Sequence, residues 1–523
     1  MQTLTEQPMV RPSSRIQLKS VAVLSTLLIA LPWFWPILIP PRSEFLPDFV
    51  SWTAFALLLS LLLWVREQGA RIVATGWLIA ALGSAVLAIV QYLDLENRFF
   101  PWIAQTQPGI ALANVHQINM LATLLGVGLL SVWWMGVRRH LKPWSTVWMA
   151  VLLLIGMAAT ASRTGMLHLI TVTLLLFYWH WQDRWRVLLV VLSSLAVYLL
   201  AGWGLQWVGS MTSGVEIHRE ITSRFGTDNR CHSRLVLWRD VLELIALKPW
   251  TGWGPGGLLY AHYITPFEGI RYCEKLSNAH NWPLQMAVTL GLPVTVGFHA
   301  VFLWVIIRLK PWAAVDTTER LAWGVLLLIG IHSLLEYPMW FGVFQLMAGS
   351  AAWLLYFNRR NQVGPDGAIR TFLSSRKAMG MVTTLALAVL ALVGWEYLKV
   401  SQLYLPASWR LERFRYDTLN KVHNSFLYQS HVLIAQVTMT PLTKENAHLI
   451  LEGALESLHV APDSRVIRRV IESAELLGRQ DLVELHTARY KAAWPQQFAE
   501  WQAVRTPQSD RSSLPASPSA APR

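Results

Sequence analysis

Long apolar runs, broken at short intervals by small basic or polar clusters, fill the first four hundred residues of this 523-residue chain. They lie near 20–39, 48–65, 72–93, 118–137, 145–161, 164–180, 187–208, 282–307, 319–335, 338–357 and 378–399. Each is close to the ~20 residues a helix needs to cross a bilayer. Hydrocarbon offers no partners to peptide groups, so such runs must bond internally as helices. The first run is interrupted by Pro32 and Pro36 and is followed by no A-x-A-like cleavage site, which makes it an uncleaved span. After residue 400 the long runs stop and helical periodicity takes over at 443–459, 463–477 and 479–493, punctuated by Pro462 and Gly478. The pattern predicts an all-α polytopic bundle of about eleven transmembrane helices, followed by a helical region outside the membrane.

Orientation follows from Lys and Arg in the short loops. Alternate segments, from Arg11, Arg15 and Lys19 to Arg376 and Lys377, carry eighteen basic residues, against Arg42, Arg98 and Arg163 on the other side. The N-terminus is therefore expected in the cytoplasm, and an odd number of spans sends the C-terminal region outside. The expected divisions are a cytoplasmic segment 1–19, a membrane domain 20–399 containing a large external loop 209–281, an external helical domain 400–504 and a disordered Ser/Pro/Ala-rich tail 505–523. Within the helical domain "LLGRQDLVELHTARYKAAWP" resembles a tetratricopeptide-type helix pair, without the full repeat pattern.

Composition sharpens this reading. Only 14% of residues are charged and 54% are hydrophobic, where a soluble chain carries about 25% charged. The 28 tryptophans suit the membrane–water boundary. A net charge of +13 raises nucleic acid as a partner, but the basic residues sit between apolar spans, where they meet anionic lipid; no nucleic acid is expected. Both cysteines, Cys231 and Cys273, fall in the large loop, which in an oxidising compartment favours a disulfide over two unpaired thiols.

Polar side chains at span ends are the candidates for chemistry, because they are costly in hydrocarbon. Asn114, His116, Gln117 and Asn119 crowd the fourth span, Arg163 lies at the fifth-to-sixth turn, and Glu336 at the ninth-to-tenth turn. The large loop adds Arg219, Arg224, Arg230, Arg234 and Arg239, and His280 precedes the eighth span. Arginine pairs bidentately with phosphate oxygens, although Arg163 also suits plain snorkelling from a helix end. Histidine is the side chain best able to take a hydroxyl proton near neutral pH. His218, His232, His262 and His280 lack a metal-ligand spacing, so no metal and no cofactor are expected. An amphipathic helix is predicted over 234–247, with Leu235, Trp238, Val241, Leu242 and Ile245 on one face lying along the bilayer, and Gly252, Gly254, Gly256 and Gly257 form a structural turn.

Arg234 with Trp238, "KPWTGWGPGG", "NAHN" before a span, and "HSLLEYPMW" at 332–340 resemble the O-antigen ligase superfamily over most of residues 100–400. The likeness is closer to its protein O-oligosaccharyltransferase branch, the PglL-type enzymes. The resemblance implies a metal-independent glycosyltransferase of the bacterial inner membrane. It would move a glycan en bloc from undecaprenyl pyrophosphate, on the periplasmic face, to Ser or Thr of proteins such as pilins. Carried onto this chain, the essential histidine is His280, the donor pyrophosphate falls to Arg163, Arg234 and Arg219, and Gln117, Asn119, Asn281 and Glu336 position substrates. An O-antigen ligase acting on lipid A core and a Wzy-type polymerase use the same donor. A transporter or flippase predicts charges near the bilayer midplane and an inverted repeat, and neither is visible in the sequence.

Overall fold

The computed structural model describes residues 12–214, 230–362 and 375–505. Arg219 and Arg224, the tail beyond residue 505 and the first eleven residues lie outside the described residues. Twenty α-helices and no strand occur among the described residues. They run α1 Pro12–Ala30, α2 Phe45–Leu61, α3 Gly69–Tyr92, α4 Ile118–Val137, α5 Pro143–Thr160, α6 Arg163–Trp179, α7 Arg184–Ser213, α8 Arg234–Leu247, α9 Gly257–Ile264 and α10 Trp282–Leu290. They continue with α11 Leu292–Leu309, α12 Thr317–Ser333, α13 Gly342–Gln362, α14 Arg376–Tyr404, α15 Thr418–Val422, α16 Gln429–Met439, α17 Ala447–Leu458, α18 Ser464–Leu476, α19 Gln480–Ala493 and α20 Pro495–Arg505.

Seven described helical segments are long and apolar enough to cross a membrane: Gln17–Phe34, Arg66–Tyr92, Ile118–Val137, Pro143–Thr160, Trp181–Thr212, Leu292–Ala313 and Arg376–Tyr404. The chain is a multi-pass membrane protein. Each of the other four expected spans is also helical, as α2, α6, α12 and α13, but these helices are shorter or carry polar ends such as Thr317-Thr318-Glu319-Arg320. The expected span 282–307 is in fact two helices, because the chain breaks at Gly291 (φ +82°). The peptide N–H groups of Trp253 and Gly254 bond the carbonyls of Val288 and Thr289 at 2.8 and 3.0 Å, and Leu292 N–H bonds Pro249 O at 2.7 Å. A Cβ on Gly252, itself at φ +66°, would stand 2.5 Å from the Thr289 carbonyl, so the glycine-rich turn is a backbone-to-backbone clamp that only glycine admits.

The contacts divide the chain into two compact units, one of 1–227, 280–282 and 299–398, the other of 228–279, 283–298 and 399–523. Residues 228–279 of the large loop thus fall in the same unit as the C-terminal helices, and the chain passes from one unit to the other at 398/399.

The first unit is built around α4, the most enclosed of the seven apolar helices, which packs on α3, α5, α6 and α12. Ala74, Ala80, Ala81, Ala85 and Ala88 on α3 are fully buried, small side chains that let membrane helices approach. By contrast only 11% of the Trp181–Thr212 window is buried, and Leu189, Leu199 and Trp203 point outward, the surface that acyl chains cover. Between α3 and α4 the loop is cast around two buried amides. Gln91 donates to Ala104 O and Ala113 O at 2.7 and 3.0 Å and accepts from the N–H groups of Leu112 and Ala113 at 2.9 and 2.6 Å. Asn114 accepts from Ala104 N–H at 3.0 Å and donates to Phe34 O and Trp102 O at 2.8 and 2.9 Å, which gives that residue a structural task.

In the second unit α8 keeps the predicted bounds but not the predicted face: Leu237, Val241, Leu244 and Ile245 are buried, whereas Leu235 and Leu242 are exposed. Buried Asp240 explains the rotation, because its carboxylate must reach the N–H of Tyr272 at 2.9 Å and Arg239 at 2.7 Å. These bonds, with one from His262, hold the acid below its usual range although burial alone pushes it up. A disulfide joins Cys231 to Cys273. The C-terminal helices α16 to α20 pack each on the next, and α9 packs on α19. Tyr263 of α9, 1% exposed, sits in the C-terminal core, shares a hydrogen bond with His486 Nδ1 at 2.8 Å and stacks near Trp494.

Candidate active site

Three helix ends of the first unit deliver the polar residues. Gln117 caps α4, its side-chain oxygen accepting from Met120 N–H at 3.1 Å, and Ser162 caps α6, accepting from Gly165 N–H at 3.1 Å. The residues just before these caps, His116 and Ala161, take left-handed backbone, at φ +57° and +44°. His280 does so too, at φ +49°, and such non-glycine conformations tend to gather at functional sites.

From these ends a continuous chain of hydrogen bonds forms. Ser162 Oγ donates to Asn119 Oδ1 at 2.7 Å; Asn119 Nδ2 donates to Glu336 Oε1 at 3.1 Å; Glu336 Oε2 meets His280 Nδ1 at 2.5 Å. Glu336 is buried at 4% exposure, while 28% of the His280 side chain reaches solvent. A carboxylate on Nδ1 makes that nitrogen the N–H donor, so the lone pair sits on Nε2, the arrangement of a general base. Tyr337 packs edge-on to the imidazole with ring centroids 5.1 Å apart. Burial and the carboxylates of Glu336 and Glu44 push its phenol up, so it stays protonated. Asn281 donates to Leu334 O at 3.0 Å, tying His280 to the turn that carries Glu336.

Arg163 is the exposed first residue of α6, one position beyond Ser162. The positive end of the α6 dipole and the guanidinium therefore occupy the same place, a combination suited to an anion. Arg234 belongs to the second unit, where it opens α8 behind the cap of Ser233. In that unit the peptide preceding His280 is gripped from both sides: Trp238 Nε1 donates to Ala279 O at 3.1 Å and Gln285 accepts from Ala279 N–H at 2.8 Å. Cys231, Cys273 and His232 form the group of potential metal ligands found among the described residues, but the two sulfurs are consumed by their own bond.

Residues 148–299 match the family model described as O-Antigen ligase, and residues 320–508 match one described as Virulence factor membrane-bound polymerase, C-terminal. The chain is also 26% identical over 279 residues to the General O-oligosaccharyltransferase of Acinetobacter baylyi. That match takes in 51% of this chain and 47% of the relative, so it spans about half of each. Over these residues the chain is similar to the O-antigen ligase family and to its polymerase relatives.

The structure brings Asn119, Glu336, His280 and Asn281 together, sets Gln117 and Arg163 at the neighbouring helix ends, and leaves Arg219 outside the described residues. It adds two residues that the sequence reading passed over. Ser162 was visible as a Ser at a helix start, and its reach to Asn119 was not. Tyr337 stood inside the quoted "LEYP" stretch, yet only the fold turns it onto His280.

Proposed function

We propose that this protein transfers a glycan en bloc from undecaprenyl pyrophosphate to Ser or Thr hydroxyls of periplasmic proteins such as pilins. The reaction would take place at the periplasmic face of the bacterial inner membrane, with the N-terminus inside and the C-terminal helices outside. The observation that carries this reading is the partly exposed imidazole of His280 on the buried Glu336 carboxylate, 2.5 Å away, in the same unit as Arg163 at the head of α6. In the proposed step the acceptor hydroxyl gives its proton to His280 Nε2 as its oxygen bonds to the sugar's anomeric carbon. The bond from that carbon to the pyrophosphate oxygen breaks, and its electron pair leaves with the lipid pyrophosphate. Positive charge at Arg163, with Arg234 and Arg219 as further donor-binding residues, favours the transition state because charge grows on the leaving group. Guanidinium groups supply what a divalent metal would otherwise bring, so transfer should survive EDTA.

The A. baylyi relative's name supports transfer of an oligosaccharide to an oxygen acceptor. The O-antigen ligase match gives a second reading, lipid A core as acceptor, and the polymerase match a third. Purified protein in liposomes, given a lipid-pyrophosphate oligosaccharide and either pilin, lipid A core or a second donor molecule, separates the three. Transfer to pilin that disappears in His280→Ala supports the proposal. Transfer undiminished in that variant removes the histidine from the mechanism. Residues 209–281 labelled as engineered cysteines only from the cytoplasmic side would sink the whole account.

A further inference from the structure

In the first unit, one helical turn along α4 from Asn119, three fully buried polar side chains meet: Thr123 on α4, His168 on α6 and His332 on α12. Thr123 Oγ1 lies 2.9 Å from His168 Nε2, 2.9 Å from His332 Nδ1 and 2.9 Å from the Asn119 carbonyl oxygen. A hydroxyl has one proton and two lone pairs. The proton goes to the Asn119 carbonyl, so both imidazoles give an N–H to the same oxygen, which fixes the tautomer of each. Ionisable side chains within a membrane bundle are expensive to keep, so a trio bonded in this way calls for a role.

Each helix tied by this hydroxyl presents part of the candidate active site. Asn119, whose carbonyl takes the hydroxyl proton, holds Glu336 by its amide. The α6 helix of His168 begins with Arg163 behind Ser162. The carbonyl of His332 accepts the N–H groups of Leu335 and Glu336 at 2.9 and 2.8 Å, so it shapes the turn on which Glu336 stands.

We propose that Thr123, with His168 and His332, is a buried positioning cluster that sets the Glu336 turn against Asn119 and thereby keeps the carboxylate on His280. Its catalytic consequence rests on the transfer reading above; its structural consequence does not.

Two arms test it on the full chain in detergent or liposomes. In the first, hydrogen exchange is followed in peptides covering residues 332–341. Thr123→Val removes the shared acceptor and should speed exchange at Leu335 and Glu336 by about tenfold, the equivalent of one modest hydrogen bond, whereas Thr123→Ser should exchange like wild type. Unchanged exchange in the valine variant overturns the proposal, whether or not any transfer is detected. In the second arm, Thr123→Val should lower kcat by up to about a hundredfold, the scale of a small misplacement of a catalytic group, and serine should restore it. The same change made on Glu336→Gln should cost little more, because the effect runs through Glu336. Effects that simply multiply overturn the proposal. If wild type transfers from no lipid-pyrophosphate donor, the transfer reading falls and the exchange arm still decides the cluster. Should the valine variant not fold, His332→Asn, whose Nδ2 stands in for the imidazole Nδ1–H, and His332→Leu make the same comparison.

Discussion

Replacing Glu336 by glutamine exchanges one carboxylate oxygen for an NH₂ group and should slow turnover strongly. Both carboxylate oxygens receive donors: Nδ1–H of His280 at 2.5 Å and Nδ2–H of Asn119 at 3.1 Å. Asn119 cannot turn round to help, because Ser162 already donates to its Oδ1 at 2.7 Å. A glutamine amide has one acceptor, so it satisfies one neighbour and sets N–H against N–H at the other. If it keeps His280, the loss is a hydrogen bond to a charged group, roughly 1.5–3 kcal/mol, or about 10- to 150-fold in rate. If it keeps Asn119, its N–H₂ faces Nδ1 and drives the imidazole to the other tautomer, with the proton on Nε2 where the acceptor hydroxyl must deliver its own. The comparable carboxylate-to-amide change in a catalytic triad costs ~10⁴-fold. We therefore expect kcat to fall by about 10- to 10⁴-fold, with the donor KM little changed and Glu336→Asp in between. Initial rates at saturating lipid-linked glycan provide the measurement, with size-exclusion and thermal melting in the same detergent as the folding control. A well-folded Glu336→Gln enzyme within about threefold of wild type would refute the dyad.

Arg163→Ala should lower kcat/KM by about 10²-fold, and Arg163→Lys should recover only part of this, because an ammonium cannot grip two phosphate oxygens at once; equal activity in all three removes the arginine from the donor site. Burial and the nearby Arg489 charge hold His486 down at about 4 in the folded protein, below its ordinary 6.5. The unfolded chain therefore binds this proton first as pH falls, so roughly 3 kcal/mol of stability, intact above 6.5, is lost by about 4. Melting curves across that window should be flatter for His486→Gln than for wild type, and parallel curves would contradict the assignment. Gln91→Leu strands four backbone groups now bonded by the side chain, at a cost on the order of 4 kcal/mol; a variant that melts with wild type and resists proteolysis equally at 94–112 shows the loop to be held by other means.

What the chain discloses about itself depends on the range of each interaction. Hydropathy acts over consecutive residues, so the helices lie where the runs of Leu, Val and Ala do, and the breaks at Pro249, Pro462 and Gly478 end helices as expected. The expected span 282–307 hid its interruption, because the cause is a glycine turn some forty residues upstream that occupies the carbonyls of Val288 and Thr289. The rotation of α8 was hidden likewise, since an apolar count weighs Leu235 and Leu237 alike until Asp240 finds Tyr272. Glu336, His280 and Asn119 were each legible as polar residues at span mouths. Their mutual bonds join residues 56 and 217 positions apart, and no local pattern encodes such pairs. Thr123 was invisible for a similar reason, as one threonine inside an apolar run.

The seating of Tyr263 among the C-terminal helices bears on how this protein could be re-engineered. The hydrophobic centre of the last hundred residues is completed by a ring contributed from α9, 223 positions before its hydrogen-bond partner His486. A chimera that exchanges only the C-terminal portion with that of a similar protein would therefore import helices shaped around a foreign α9. An exchange meant to alter acceptor choice has to carry residues 257–264 along with 399–505, as a matched pair of segments rather than a detachable module.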